Sequence, residues 1–215
     1  MRRSPGLGPL VLAFASSALL AAGCVDREGE DAAVAGGAVS ADRGGPPAAG
    51  TESEEPAATD LTAPASAWTI GIACVTRPLS GVATVTDVRT ASHPGFDRIV
   101  WEFAPGERPG YHVEYIDRPV RECGSGNVVP LAGDGWLEVR LEPARAHDEA
   151  GKPTLREASG ARDRRLDPGL PVVRELARTC DFEAVVAYVM GVTSPNPFRV
   201  AELETPPRLV VDIRR

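Results

Sequence analysis

The sequence predicts an all-β protein that folds as a two-sheet β-sandwich. Two segments show the clearest strand pattern, because their apolar side chains recur at every second position and alternate with polar ones. The alternating apolar residues are Ile99, Trp101 and Phe103 in the first segment and Leu209, Val211 and Ile213 in the second. Gly-containing and Pro-containing turns separate further short segments of this kind, and no convincing amphipathic helix lies between them. Many short strands with regularly spaced turns indicate a sandwich or a barrel.

The first part of the domain is expected to contain five strands. Residues 68–75 are a short apolar run that predicts an added edge strand, and residues 82–90 open the domain proper. The valines of this second segment are three residues apart, which indicates a β-bulge or a change of buried face. The strand at 96–103 follows a Pro-Gly turn, and alternating strands are predicted again at 111–115 and 137–141.

The second part of the domain begins with a long connection. Residues 144–171 are polar and contain several Gly and Pro residues, and long ordered loops on compact domains often carry binding functions. A short strand is expected at 172–177. Residues 182–192 are apolar on both faces, which predicts a strand in the centre of its sheet or one that lies between two layers. Strands at 198–203 and 208–213 close the chain.

Charged residues occupy the other face of the two best-patterned strands. Arg98 and Arg208 are expected to pair with Glu102 and Asp212 across the sheet. Because such exposed pairs contribute modest energy, they are interpreted as structural contacts and not as a ligand site.

The first residues predict an export signal that ends in a lipid anchor. Two arginines, Arg2 and Arg3, precede an uncharged apolar stretch at 7–20, and small residues lie between this stretch and Cys24. This pattern is typical of a lipoprotein, so residues 1–23 are expected to be a signal peptide and Cys24 to carry acyl chains that hold the protein on the bacterial cell membrane. The alternative, a retained transmembrane helix, needs roughly 20 apolar residues, and the stretch is shorter.

Residues 24–66 are predicted to be the lipidated cysteine followed by a disordered acidic linker. From residue 25 to residue 66 there are nine acidic and two basic residues and no aromatic one, so the segment cannot bury enough apolar area to order itself. About 40 flexible residues would span roughly 35 Å. The domain at 67–215 has 21 acidic and 19 basic residues. This near-neutral domain has no field with which to attract nucleic acid, so that partner is not expected.

Export would place Cys74, Cys123 and Cys180 where disulfides persist. Three is an odd number, so at most one bridge is expected among them, and Cys123 with Cys180 is the favoured pair. Cys74 is then expected to be free and buried. The alternative is three unpaired core cysteines. None lies in a CxxC pattern or beside a histidine, which argues against metal binding and thiol chemistry.

The sequence shows no pattern typical of a catalytic or metal site. Only His93, His112 and His147 are available as histidine ligands, no HExxH is present, and no G-x-S-x-G elbow occurs. No catalytic residue, metal or other cofactor is therefore expected, and the protein is predicted not to be an enzyme. Loop carboxylates that converge on a glycosidic bond stay an open alternative, since such pairs have no sequence signature.

Five residues are candidates for ligand binding. His147 and Asp148, in the long loop, have two interpretations: hydrogen bonds to a sugar or peptide stem, or capping of the loop backbone. Tyr111 and Tyr115 are candidates to stack on a sugar, although aromatic residues at strand spacing more often belong to the core. Trp136 lies beside a turn and off the buried face of its strand, which favours an exposed platform.

Several segments together resemble a known family. The most informative are TDVR at 86–89, DRIVWEF at 97–103 and PRLVVDI at 207–213. Further matching segments lie at 110–115, 146–148, 170–175 and 197–200. The pattern resembles the AMIN domain, and more closely the AMIN-like lipoproteins of bacterial cell envelopes, over residues 83–214.

The resemblance implies a fold and a class of function. AMIN domains are two-sheet sandwiches that attach to periplasmic or septal proteins and recognise peptidoglycan, and in wall amidases a separate zinc domain does the cutting. We therefore expect an extracytoplasmic, lipid-anchored protein whose domain binds peptidoglycan or a wall-associated protein without catalysis. Two alternatives stay open: an envelope hydrolase that uses loop carboxylates and His147, and a structural lipoprotein with protein partners only.

Overall fold

The structure, a computed structural model, describes residues 25–26, 66–78, 81–156 and 164–215. The predicted signal peptide, Cys24 and most of the predicted linker lie outside the described residues. Across the described ranges no helix has the length and apolar character needed to cross a membrane. In chain order the strands are β1 (Val25–Asp26), β2 (Ala73–Thr76), β3 (Ala83–His93), β4 (Phe96–Phe103), β5 (Gly110–Tyr115), β6 (Gly135–Glu142), β7 (Ala144–Arg145), β8 (Arg165–Leu166), β9 (Val173–Phe182), β10 (Val185–Val192), β11 (Phe198–Glu204) and β12 (Pro207–Arg214).

The strands form two sheets that pack face to face, which confirms the predicted all-β sandwich. The larger sheet has the order β1-β2-β5-β6-β10-β9-β8, and the smaller one has the order β11-β12-β4-β3-β7. The core lies between them and takes every second side chain of the central strands. Trp101 of β4 and Tyr188 of β10 meet there, with their ring centroids 5.7 Å apart.

A β-bulge in β3 confirms what the three-residue valine spacing predicts. The register with β4 shifts between Val85 and Asp87. Because of this extra residue, Val85 and Val88 both face the core, opposite Phe103 and Trp101.

Residues 66–76 join the edges of the two sheets. Thr69 pairs with Phe198 at the edge of β11 in the smaller sheet, and Ser66 donates its N–H to the carbonyl of Val200 at 2.8 Å. A few residues later, β2 pairs with β5 of the larger sheet. The strand predicted at 68–75 is therefore present in part, as β2 from Ala73 to Thr76. It is second from the edge of its sheet and not the edge strand, because β1 pairs outside it. The residues before β2 close one side of the sandwich.

The first two residues of the predicted linker also contact the domain. Val25 and Asp26 form β1, which runs parallel to β2 with Val25 opposite Val75. Residues 27–65 of that linker lie outside the described residues.

The hairpin of β9 and β10 differs from its prediction. We expected one strand at 172–177 and a second at 182–192, but β9 continues to Phe182 and β10 begins at Val185. Glu183 and Ala184 form the turn between them with φ of 50° and 60°. Two-residue hairpin turns with positive φ usually contain Asn or Gly, so this turn has no sequence signal. The prediction of a central strand is correct, since β10 lies between β6 and β9.

The connection predicted at 144–171 is partly core. Ala144, Ala146, Leu155 and Leu170 are buried and belong to the apolar cluster between the sheets. β7 also pairs in parallel with β3. The described parts of this segment, which include β7 and β8 at the ends of the two sheets, therefore lie on the opposite side of the sandwich from residues 66–76.

A disulfide attaches a long loop to the larger sheet. Cys123 and Cys180, the pair that the sequence favours, are bonded with their Cα atoms 5.2 Å apart. Cys123 also donates its N–H to the carbonyl of Thr179, and Val120 of the same loop is buried.

The expectation of a free, buried Cys74 is wrong. Cys74 is half-buried in β2 and takes part in a disulfide, so none of the described cysteines is free. Because Cys123 and Cys180 are joined to each other, the partner of Cys74 lies outside the described residues. The sequence contains a fourth cysteine, Cys24, which precedes the domain.

Candidate functional site

One row of side chains crosses the outer face of the smaller sheet near its end. Arg199 of β11, Asp212 of β12 and Arg98 of β4 are direct cross-strand neighbours. Arg98 donates Nε and Nη2 to the two carboxylate oxygens of Asp212 at 2.6 and 2.9 Å, and Arg199 donates its Nε to Asp212 Oδ2 at 2.9 Å. Asp212 is buried, with 2% exposed, so one desolvated carboxylate holds two guanidinium groups in fixed positions.

Aromatic rings flank these arginines. The guanidinium carbon of Arg199 lies 4.7 Å from the ring centroid of Trp68 and 5.2 Å from that of Phe96. Arg98 lies 5.1 Å from the Phe96 ring, and the two ring centroids are 6.3 Å apart. Such stacking gains cation–π energy and restricts the guanidinium planes. His93 stacks on Phe96 from the next strand, at 4.9 Å.

Arg214 adds a positive charge to this group. It lies opposite Phe96 in the strand register, is exposed, and has its guanidinium carbon 5.9 Å from the Trp68 ring centroid. Among the described residues, no carboxylate lies within 4.0 Å of it. We call Trp68, Phe96, Arg98, Arg199, Asp212 and Arg214 the Trp68 cluster. It contains three guanidinium groups and one carboxylate, so its charge is positive on a domain that is close to neutral.

Local strand geometry produces the cluster. Side chains at alternate positions share a face, so Phe96 and Arg98 lie on the outer face of β4, and Asp212 and Arg214 lie on that of β12. Trp68 precedes Thr69, which pairs with Phe198, and this register puts Trp68 beside Arg199. The sequence predicts Trp68 only as part of an edge strand, because no local pattern identifies Arg199 as its neighbour.

A second group of ion pairs lies further along the same face. Glu102 accepts hydrogen bonds from Arg89 at 2.6 Å and from Arg156 at 2.5 Å, and Asp87 lies opposite it in the register. The expected pair of Arg98 with Asp212 is present, but Arg208 is not a salt-bridge partner of Glu102. Its guanidinium donates instead to the backbone carbonyl of Pro206, because the turn before β12 is closer.

His147 and Asp148 do not act as a pair. Asp148 Oδ1 accepts the N–H groups of Ala150 and Lys152 at 2.9 and 2.8 Å, which is the capping interpretation. His147 Nδ1 lies 2.8 Å from Asp181 Oδ1, and its side chain is 40% exposed. Both residues line a shallow open depression, and neither candidate tyrosine nor Trp136 is among its lining residues.

Tyr111 and Tyr115 face inward from β5 and pack against the core. The hydroxyl of Tyr115 donates to the carbonyl of Asn196 at 2.6 Å, and its ring meets the edge of Phe198. Burial raises the pKa of Tyr115 to about 12, and the hydrogen bond to Asn196 offsets part of that rise. Tyr111 lines a small crevice at the end of the sandwich with Arg77.

Trp136 lies on the outer face of the larger sheet, where it is half-buried. The guanidinium carbon of Arg118 lies 3.8 Å from its ring centroid, and Arg118 also donates to the carbonyl of Gly133 at 3.0 Å. One face of the ring is therefore covered by an arginine that is itself held in place.

The outer face of β5 and β6 carries acidic residues. Glu114 and Glu138 lie directly opposite each other. Burial raises the pKa of Glu138; Arg140 opposes this effect, and the charge of Glu114 adds to it. His112 Nε2 lies 3.2 Å from Glu114 Oε1. Within the described ranges, no group of three or more His, Cys, Asp or Glu side chains is placed to hold a metal ion.

Comparisons with known proteins place most of these elements in one family. The family described as "AMIN-like domain" matches residues 83–215, from the start of β3 to Arg215. Trp68 and β2 lie before the matched region. No curated protein and no solved structure matches the chain.

Proposed function

Since the chain belongs to the AMIN-like domain family, we propose that it is a cell-envelope protein whose domain binds peptidoglycan and does not cut it. The observation that carries this proposal is the family match over residues 83–215, because domains of this type are associated with the bacterial envelope. The Trp68 cluster supports it. Its rings and guanidinium groups suit the sugars and carboxylates of the wall polymer.

Sedimentation with purified sacculi tests the binding. The full chain, purified in detergent, is mixed with sacculi boiled in SDS to remove proteins, and with untreated envelope fragments. We expect co-sedimentation with the stripped sacculi at physiological salt. Binding only to untreated fragments would instead identify a wall-associated protein as the partner. No binding to either would contradict the proposal.

The membrane anchor is a second part of the proposed function. The small residues before Cys24 support attachment of a lipid to its sulfur, which would hold the domain at the membrane near the wall. Cys24 is the one cysteine of the sequence besides Cys74, Cys123 and Cys180, so a lipid on its sulfur and a disulfide to Cys74 exclude each other within one chain. Metabolic labelling with an alkyne fatty acid is expected to mark the wild-type chain and not Cys24→Ala. Unlabelled wild type would contradict the anchor and would leave the Cys24 sulfur available to a disulfide.

One observation favours an alternative function. Asp181 orients the imidazole of His147 over an open depression, as a carboxylate does for a general base. An envelope hydrolase would therefore use His147. Release of soluble fragments from labelled sacculi by the wild type, abolished in His147→Ala, would support hydrolysis and would overturn the non-catalytic proposal.

A further inference from the structure

Resting on the proposed wall binding, we infer that the Trp68 cluster is the binding site and that its ligand is a glycan strand bearing carboxylates. Part of this site comes from residues 66–69, which precede the region that matches the family. The inference has three supports: the charge of the cluster, the fixed position of its aromatic ring, and the contrast with a second tryptophan elsewhere on the surface.

The net positive charge of the cluster favours an anionic ligand. Asp212 already accepts hydrogen bonds from Arg98 and Arg199, so its single negative charge leaves one of these two guanidinium charges uncompensated. Arg214 adds another at the exposed end of β12. Arginine binds carboxylates in a planar two-point geometry, so the arginines suit the carboxylates of peptide stems.

The ring of Trp68 is held in place before any ligand arrives. Thr69 and Phe198 exchange two backbone hydrogen bonds of 2.8 and 2.7 Å, and Val200 donates its N–H to Ser66 Oγ at 2.8 Å. These bonds fix the backbone on both sides of Trp68. A rigid ring loses little conformational entropy on binding, and the apolar face of a sugar packs on it.

Trp136 provides the contrast. Its ring also lies against an arginine, but Arg118 is 3.8 Å from the ring centroid, whereas Arg199 and Arg214 are 4.7 and 5.9 Å from that of Trp68. Arg118 therefore covers one face of the Trp136 ring more closely than either arginine covers that of Trp68. Trp136 and Arg118 are therefore matched controls with the same residue types on the other sheet.

The first experiment compares variants of the full chain by sedimentation with SDS-stripped sacculi. We expect Trp68→Ala and Arg214→Ala each to raise the protein concentration at half-saturation about tenfold. This is the loss of affinity expected when one aromatic or charge-assisted contact is removed. Trp136→Ala and Arg118→Ala are expected to bind like the wild type. Because Trp68→Ala removes a half-buried ring, its thermal unfolding is measured too, and the exposed Arg214 tests the site without that complication.

The second experiment changes the ligand. Sacculi whose carboxylates are amidated with carbodiimide and methylamine keep their glycan strands but lose the negative charge. We expect wild-type binding to them to fall about tenfold and the residual binding to lose most of its dependence on salt. Equal binding to native and amidated sacculi would overturn the assignment of carboxylates.

These outcomes distinguish a failure of the proposed function from a failure of the assigned site. If the wild type does not bind sacculi, the proposed function fails. If the wild type binds but Trp68→Ala and Arg214→Ala bind equally well, the function stands and the site is wrong. A loss confined to Trp136→Ala or Arg118→Ala would move the site to the larger sheet.

Discussion

The carboxylate of Asp97 in β4 accepts the backbone N–H of Val172 at 2.6 Å and thereby joins the two sheets. It also accepts the N–H of Val173 at 3.1 Å, where β9 of the opposite sheet begins, and it pairs with Arg215 at 2.9 Å. Asp97 itself is fully buried. One acidic side chain therefore satisfies two donors of the facing sheet and fixes the end of the chain.

Replacing Asp97 with alanine is expected to destabilise the fold by about 3 kcal/mol. The change leaves two buried N–H groups without an acceptor, and each such group costs roughly 1 to 3 kcal/mol. Urea unfolding followed by tryptophan fluorescence measures the loss. Asp117→Ala, at an exposed position, is the control and should change stability by less than about 0.5 kcal/mol. A loss below about 1 kcal/mol for Asp97→Ala would show that these bonds contribute little.

Ala184→Gly is expected to stabilise the protein by about 0.5 to 1 kcal/mol. Ala184 has a φ of 60° in the turn between β9 and β10, a conformation that costs a residue with a Cβ about 1 to 2 kcal/mol. Glycine removes that cost. It also increases the conformational entropy of the unfolded chain, and this offsets part of the gain in stability. The measurement is the midpoint of thermal unfolding. Ala150→Gly, in an exposed loop position without positive φ, should lower the midpoint slightly. A lower midpoint for Ala184→Gly would contradict the strained turn.

Glu138→Gln is expected to raise stability at neutral pH by a few tenths of a kcal/mol to 1 kcal/mol. Burial raises the pKa of Glu138, and Glu114 lies opposite it, so the folded state disfavours the ionised form. The wild type therefore gains stability as the pH falls from above the folded pKa to below the unfolded pKa. The advantage of the glutamine should shrink over the same range, which urea unfolding at several pH values measures. An advantage that does not depend on pH would exclude this electrostatic cause.

Removing the disulfide in the Cys123→Ser/Cys180→Ser double variant is expected to cost about 4 kcal/mol. The two cysteines are 57 residues apart, and a crosslink that closes a loop of this length restricts the unfolded chain by roughly that amount. The same change releases the loop around Cys123 from β9. We therefore also expect faster trypsin cleavage after the exposed Arg121. Unchanged cleavage would show that Val120 and the backbone bond to Thr179 hold the loop without the disulfide.

The candidate site was only partly predictable. The sequence pointed to Arg98 and Asp212 as partners, because both lie on the polar face of strongly patterned strands. It did not connect them with Trp68, since that contact depends on Thr69 pairing with Phe198, far away in the sequence. A tryptophan beside a turn is predicted to be exposed, which favours Trp136, but its ring lies under Arg118.

Residue spacing alone predicts which faces of the strands are buried. Alternation is a local property of extended chain, so the core faces of β4 and β12, the bulge in β3 and the central place of β10 could be read from residue spacing.

The pairing of each arginine with its carboxylate depends instead on the long-range order of the strands. The partners come from strands whose order in the sheet is not written in any local pattern. Arg98 and Arg199 converge on Asp212 because β12 lies between β4 and β11, whereas Arg208 bonds to its own turn. Trp68 lies beside these arginines because Thr69 pairs with Phe198, which is also a long-range contact. These pairings together produce the positively charged, aromatic end of the smaller sheet.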